Sequence, residues 1–337
     1  MRHLFDRYRR YVPAVFFAGG FIWDAVTLGR VIKSLDLVII FAYLLGAAAI
    51  LLLIGRGVEF RGSRYLNPAL QFFFGGIFSA LFIFYFLSSS DLPGYLVVMA
   101  LAALLVGNEF MESRYSELTV SWAFFTLCAA MFFNFALAHV FHSISVFWFY
   151  LGTLVAMALV ILLRRLSTKA EASLVPAIGV ALLMLVLHAV NAIPPVPLVQ
   201  KEMLVAHAVR RTASGYTALV ESAGVRFWRK SSTTFHRAAG ERVYCFTSVF
   251  VPNGIRTTIH HRWLYFDEAR GEWVGMGSVP IEIAGGRQGG FRGYSYKSNA
   301  RPGRWRVIAA AESGASIGIV DFRVVDGEKA KKKTVRL

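Results

Sequence analysis

The chain has 337 residues, 56% of them apolar, yet it carries 36 Lys and Arg against 20 Asp and Glu. Two cysteines exclude a disulfide framework; Cys128 in an apolar run and Cys245 in a strand-like run are read as buried free thiols. Position reconciles the charge with the hydrophobicity. Residues 11–198 hold the long apolar runs, and residues 199–337 carry about +12 of the net charge, which bears on partners and solubility rather than fold.

A membrane span needs about 20 mostly apolar residues to cross about 30 Å of hydrocarbon. Seven segments are predicted as spans: 11–28, 36–54, 67–88, 93–108, 118–140, 144–163 and 174–193. They are predicted to be helices, because lipid offers no partner to a backbone polar group. The first run lacks a small-residue cleavage site and is read as an anchor. Arg2, Arg7, Arg9 and Arg10, then Arg56, Arg61 and Arg64, then Arg164, Arg165 and Lys169 mark one side. The opposite loops hold only Arg30 and Lys33. The basic side is cytoplasmic. An odd number of spans then exports the rest of the chain, whereas a six-span count would keep it inside.

That topology gathers Asp24, Asn134, His139, His142, His188 and Asn191 in the outer halves of spans one, five and seven. Ionisable groups at membrane depth are functional candidates, for handling protons, a metal or a lipid head group. The plainer reading has His139 and His142 capping span five on one helix face, and Asp24 and His188 satisfying each other. Glu109 and Glu112, near Arg114, read as interfacial charge.

Prolines 194, 195 and 197 end the last helix and favour an extended exit. Residues 196–224 are predicted as a linker with a short amphipathic helix, on the spacing of Leu204, Ala208 and Arg211. From about 225 to 326, short β-branched and aromatic runs alternate with "AAGE", "VPNG", "EARG", "GGRQGG", "ARPG" and "ESGA". This punctuation predicts seven or eight strands in an immunoglobulin-like sandwich. The basic run 327–337 reads as a mobile tail, able to lie on anionic lipid. The fold class is therefore a membrane helical bundle (residues 1–195) followed by an all-β sandwich.

The strings "IPPVPL", "VYCFTSVFVPNGI", "HHRWLYFD", "GGRQGGFRGYSYKSN", "PGRWRV" and "GIVDFRVV" resemble the domain catalogued as DUF2914, over roughly residues 193–325. The whole is similar to bacterial inner-membrane proteins in which that domain follows a multi-span region. The resemblance implies a membrane-anchored β domain on the outer, periplasmic face; it implies no activity.

Within "GGRQGGFRGYSYK", strand alternation puts Arg292, Tyr294 and Tyr296 on one face and Phe291, Ser295 and Lys297 on the other. The glycines suit a tight turn or an anion-holding nest, to which Arg287 would add donors. Arg292 between tyrosines could bind a sugar or phosphate, or pair with Glu272 or Glu282. No nucleotide loop is present, since no lysine with Ser or Thr follows the glycines at the required spacing. His260 and His261 point to opposite faces and cannot share a metal, whereas His260 and Arg262 share a face and could join a surface site. Ser295 has no histidine at a triad-like spacing. No residue set calls for a cofactor or metal, and nucleic acid does not suit an exported domain. Two functions remain open. One is a non-enzymatic envelope-binding module, taking an anionic glycan, a lipid head group or a partner protein through Arg287, Arg292 and Lys297. The other is a membrane-embedded enzyme or transporter built on the Asp/His cluster.

Overall fold

The computed structural model describes residues 12–28, 33–168, 172–212, 215–222, 230–238, 240–252, 254–286, 290–327 and 331–337. The chain divides into two units. The first takes the chain up to Leu87, Leu96–Leu137 and Phe147–His188. The second takes Ser88–Tyr95, Ala138–Val146 and Ala189–Leu337.

Seven α-helices occur among the described residues: α1 (Val12–Thr27), α2 (Ser34–Gly55), α3 (Leu66–Ser88), α4 (Leu92–Asn108), α5 (Thr119–Val140), α6 (Val146–Leu166) and α7 (Val175–Ala189). Four are long and apolar enough to cross a membrane: α2, α3 (with the preceding turn), α5 and α6. The apolar α4 and α7 have 17 and 15 residues.

The core of the helical unit is aromatic. Phe78 and Phe74 meet Phe124 edge-on, and Phe84 meets Phe135 in the same way, the preferred geometry for rings that carry a quadrupole. Buried polar groups are paired locally. Tyr85 donates to the Met131 carbonyl at 3.1 Å and accepts from Asn134 at 3.0 Å, while Tyr115 and the Gln71 carbonyl hold Asn108. The outward faces are apolar too: Leu45, Phe72, Met99, Leu154 and Leu182 are all exposed. A helix that is apolar all round suits a lipid surround and suggests membrane association.

The second unit holds eleven strands among the described residues: β1 (Val199–Ala206), β2 (Ala208–Thr212), β3 (Gly215–Glu221), β4 (Thr234–Arg237), β5 (Val243–Phe250), β6 (Arg256–Asp267), β7 (Glu272–Ala284), β8 (Phe291–Lys297), β9 (Gly303–Ala311), β10 (Ser316–Asp326) and β11 (Lys332–Arg336). They form three sheets, in the orders β1-β5-β8, β4-β10-β9-β6-β7 and β11-β3-β2. The first sheet lies in the middle. Val205 and Cys245 face the five-stranded sheet and pack with Trp263, Trp305, Val307 and Phe322. Their neighbours Leu204, Ala206 and Phe246 face the third sheet and pack with Val209, Ala218 and Val220. Strand β5 is thus covered on both faces, which is why "VYCFTSVF" is apolar with so little alternation. Burial raises the Cys245 thiol well above the ordinary thiol range, and both cysteines are free and buried.

Three expectations are corrected here. The amphipathic helix over 199–223 is instead strands β1 to β3. Leu204 belongs to β1 whereas Ala208 and Arg211 belong to β2, so their helix-like spacing is coincidental. The tail is not wholly loose: Lys332–Arg336 pairs antiparallel with β3, Lys332 opposite Glu221. The two-sheet immunoglobulin-like sandwich gives way to three layers, and β4 joins β10 in parallel. The second and third corrections come from pairing partners far apart in sequence.

Candidate ligand-binding face of the β unit

Strand β8 is an edge of the middle sheet, and its side chains alternate as its sequence predicts. Tyr294 lies opposite Phe246 and Tyr296 opposite Tyr244. Ring centroids of Tyr244 stand 6.0 Å from Tyr294 and 5.6 Å from Tyr296, and Tyr216 of β3 reaches Tyr294 at 6.4 Å. The result is a shelf of tyrosine rings where the middle and third sheets meet. Tyr294 and Tyr296 are 41% and 47% exposed. The four hydroxyls make no hydrogen bond among the described residues.

Arginines flank the shelf. Arg242 sits over the Tyr296 ring at 4.8 Å. Arg211 lies opposite Tyr216 in register and shares its exposed end. Arg292 approaches Gly215, where a Cβ would come within 2.8 Å of its Nη1; this glycine's φ of +139° is open to glycine alone. Arg292 pairs with neither Glu272 nor Glu282, nor with any other described carboxylate. A guanidinium without an acid, beside tyrosine faces with free hydroxyls, can fork onto a carboxylate or phosphate while a ring lies on the aromatic surface.

The other predicted site residues do not join this shelf. Lys297 projects from the opposite face of β8, and its ammonium meets the Met276 carbonyl. Ser295 is buried, its Oγ taking the Trp263 indole N–H at 3.0 Å and lying 2.9 Å from His261 Nδ1. It is a core hydroxyl. His260 and Arg262 share the outer face of β6, in the five-stranded sheet, with Arg262 exposed near Gly314 and the Asn191 amide. Arg287 lies outside the described residues. The flanking glycines have structural duties. A Cβ on Gly285 would sit on the Pro252 carbonyl oxygen, and Gly290 has φ +80°.

The polar residues of the helices also have separate local partners. Asp24 lines a cavity of about 830 Å³ with Asp36, Gln71, Ser79 and Glu109. Asn134 donates to Tyr85, and the His188 ring stacks on Phe149 at 4.0 Å. His139 lies in the last turn of α5, but His142 is beyond the helix end at φ +51°, so the two do not share a helix face; His142 sits against Gly254.

Sequence reasoning missed Tyr216, Tyr244, Arg211 and Arg242 as part of this face. Only the alternation within β5, which places Tyr244 beside Phe246, hinted at one of them. It also missed a buried ionic knot. His207 Nδ1 is 2.7 Å from Glu241 Oε1 and its Nε2 is 3.0 Å from Glu221 Oε1. His236 Nδ1 is 3.0 Å from Glu221 Oε2. Burial alone would raise the Glu241 carboxyl. The Ala238 N–H, His207 and Lys332 outweigh it and hold that carboxyl below its ordinary range.

Residues 256–324 match DUF2914, a family described as protein of unknown function. The DUF2914 segment runs from the start of β6 into β10. It includes Arg292, Tyr294 and Tyr296 but not Tyr216, Arg242 or Tyr244. No curated protein matches the chain. Among solved structures, Pseudomonas fluorescens alkylpurine DNA glycosylase AlkC bound to DNA containing an abasic site analog is similar at 12% identity, over 80% of this chain and 83% of that one. Its TM-score of 0.23 carries no argument about fold or function.

Proposed function

We propose that the chain is a multi-pass protein of a bacterial inner membrane whose exported β unit binds an anionic glycan of the envelope. The observation that carries this reading is the tyrosine shelf with its uncompensated Arg292. Sugar rings present apolar faces that lie on aromatic rings, tyrosine hydroxyls meet their hydroxyls, and arginine takes the acid group. The strong positive charge of residues 199–337 would draw such a polymer to the surface. The Lys/Arg bias of the loops supports the cytoplasmic N-terminus and the periplasmic β unit. An anionic lipid head group or an acidic envelope protein are the other partners this charge suits.

The test uses the full chain in detergent or nanodiscs, with oligosaccharides bearing carboxylates or phosphates set against neutral ones. Acidic fragments bind the wild type and Arg292→Glu abolishes binding; equal binding of neutral and acidic fragments would end the proposal. A reporter fused after Leu337 tests export, and activity confined to the cytoplasm would reverse the topology.

A second reading, a membrane-embedded enzyme or transporter, is favoured by the cavity that Asp24, Asp36, Gln71, Ser79 and Glu109 line among apolar helices. Carboxylates facing such a space are costly unless used. Asp24→Asn would abolish transport or turnover under this reading and leave glycan binding untouched.

A further inference from the structure

A second cleft lies in the β unit, away from the tyrosine shelf. It measures about 410 Å³, and Ser143, Ile144, Arg256, Thr257, Glu312 and Ser313 line it. Three pieces of chain meet there: the α5–α6 connection, the start of β6, and the turn between β9 and β10. All three belong to the second unit. Arg256 and Glu312 are both exposed, and neither side chain makes a hydrogen bond or ion pair with the other or with any described residue. Opposite charges that share a cleft without joining each other complement a ligand that carries both signs at a fixed separation.

We propose that this cleft holds the head group of a zwitterionic phospholipid, a phosphate ester bearing a primary amine. The Arg256 fork takes the phosphate. The Glu312 carboxylate takes the ammonium, and the hydroxyls of Ser143, Thr257 and Ser313 satisfy the remaining oxygens. A purely anionic lipid would satisfy Arg256 but be repelled by Glu312.

The source is a lipid because of where the cleft sits along the chain. Ser143 and Ile144 belong to the short connection between α5 and α6, both long and apolar enough to cross a membrane. A connection between two such spans lies at the head-group layer. Val140 and Phe141, which lead into it, expose their apolar side chains. Acyl chains would cover such a flank and a soluble ligand would not. The inference rests on the membrane reading of the helices, and it is independent of the glycan.

The experiment is native mass spectrometry of the full chain, offered equal amounts of dioleoyl-phosphatidylethanolamine and dioleoyl-phosphatidylglycerol. The wild type retains phosphatidylethanolamine over phosphatidylglycerol by at least about fivefold, close to 1 kcal/mol. Arg256→Ala loses that retention by about tenfold. Glu312→Gln lowers phosphatidylethanolamine and raises phosphatidylglycerol. Both residues are exposed, so unchanged thermal midpoints separate lost binding from lost fold. Equal retention of the two lipids by the wild type, or wild-type ratios in both variants, overturns the proposal. Soluble phosphoethanolamine binding as tightly as the lipid overturns it in favour of a soluble ligand. Alkaline carbonate extraction separates the premises. Release of the protein from membranes defeats the membrane reading and this site together; an integral protein without lipid preference defeats this site alone.

Discussion

His207 Nε2 lies 3.0 Å from Glu221 Oε1, with the two side chains only 2% and 4% exposed. The same ring holds Glu241 through Nδ1 and stacks on Phe235 at 4.1 Å. One histidine, placed between β1 and β2, thereby ties β3, β4 and the approach to β5 together. Lys332 of β11 reaches the same Glu241 at 3.5 Å. Removing one member of a buried charged pair strands the other without solvent, which costs about 3 kcal/mol or more. Glu221→Gln is therefore expected to destabilise the β unit by about that amount and to speed amide exchange in β3 and β11. Lys332→Ala, part-exposed, should cost under about 1 kcal/mol. Hydrogen exchange on the full chain reads both; equal effects of the two substitutions would show that the knot is not the anchor.

His261 makes the β unit sensitive to acid. Its ring is fully buried, Nδ1 is beside Ser295, and Nε2 has no hydrogen-bond partner among the described residues. Burial lowers its pKa from the ordinary 6.5 to about 4. The unfolded chain then takes a proton below pH 6.5 that the folded chain refuses. Stability is complete above 6.5, falls as the pH drops from 6.5 to about 4, and levels off below that. The loss from this one group is on the order of 3 kcal/mol. Between pH 7 and 4 the wild type should lose on the order of 3 kcal/mol more stability than His261→Leu, read from denaturant midpoints. Parallel curves would mean that His261 titrates normally.

The glycines that frame the 287–289 segment carry a steric prediction. Gly285 donates to the Ile255 carbonyl at 2.8 Å while packed on Pro252, and a side chain there would part the two segments. Gly290 combines φ +80° with Ser248 Oγ only 2.7 Å from where a Cβ would stand. Gly290→Ala should cost about 1–3 kcal/mol, and Gly285→Ala at least as much. Thermal melts with near-ultraviolet dichroism would check this, and a melt unchanged by Gly285→Ala would mean the Pro252 backbone yields freely.

Tyr294 and Tyr296 should behave in the opposite way. Half exposed, they can be cut to alanine with under about 0.5 kcal/mol of lost stability, as is usual for surface positions. Glycan affinity should fall about tenfold for each, roughly one ring's worth of aromatic contact. Titration calorimetry on the full chain separates the two quantities. Stability falling while affinity holds would make the shelf a packing surface.

Much of this was written in the chain itself. Apolar runs of some twenty residues became α2, α3, α5 and α6, because hydrophobicity is a local property and a helix satisfies its own backbone. Alternation in "FRGYSYK" was enough to set Arg292, Tyr294 and Tyr296 against Ser295 and Lys297, because the pleat has a period of two. Tertiary structure alone decided the rest. Strand β3 is completed by β11 more than a hundred residues later; Tyr244 meets Tyr294 only once β5 pairs with β8, and Tyr216 only once the third sheet stacks on the middle one. Glu221 and Glu241 likewise find His207 only across strand boundaries. Sheet pairing is a contract between distant segments, so a short polar strand carries little sign of its partner. What lines up along one strand could be read in advance; what faces it from another could not.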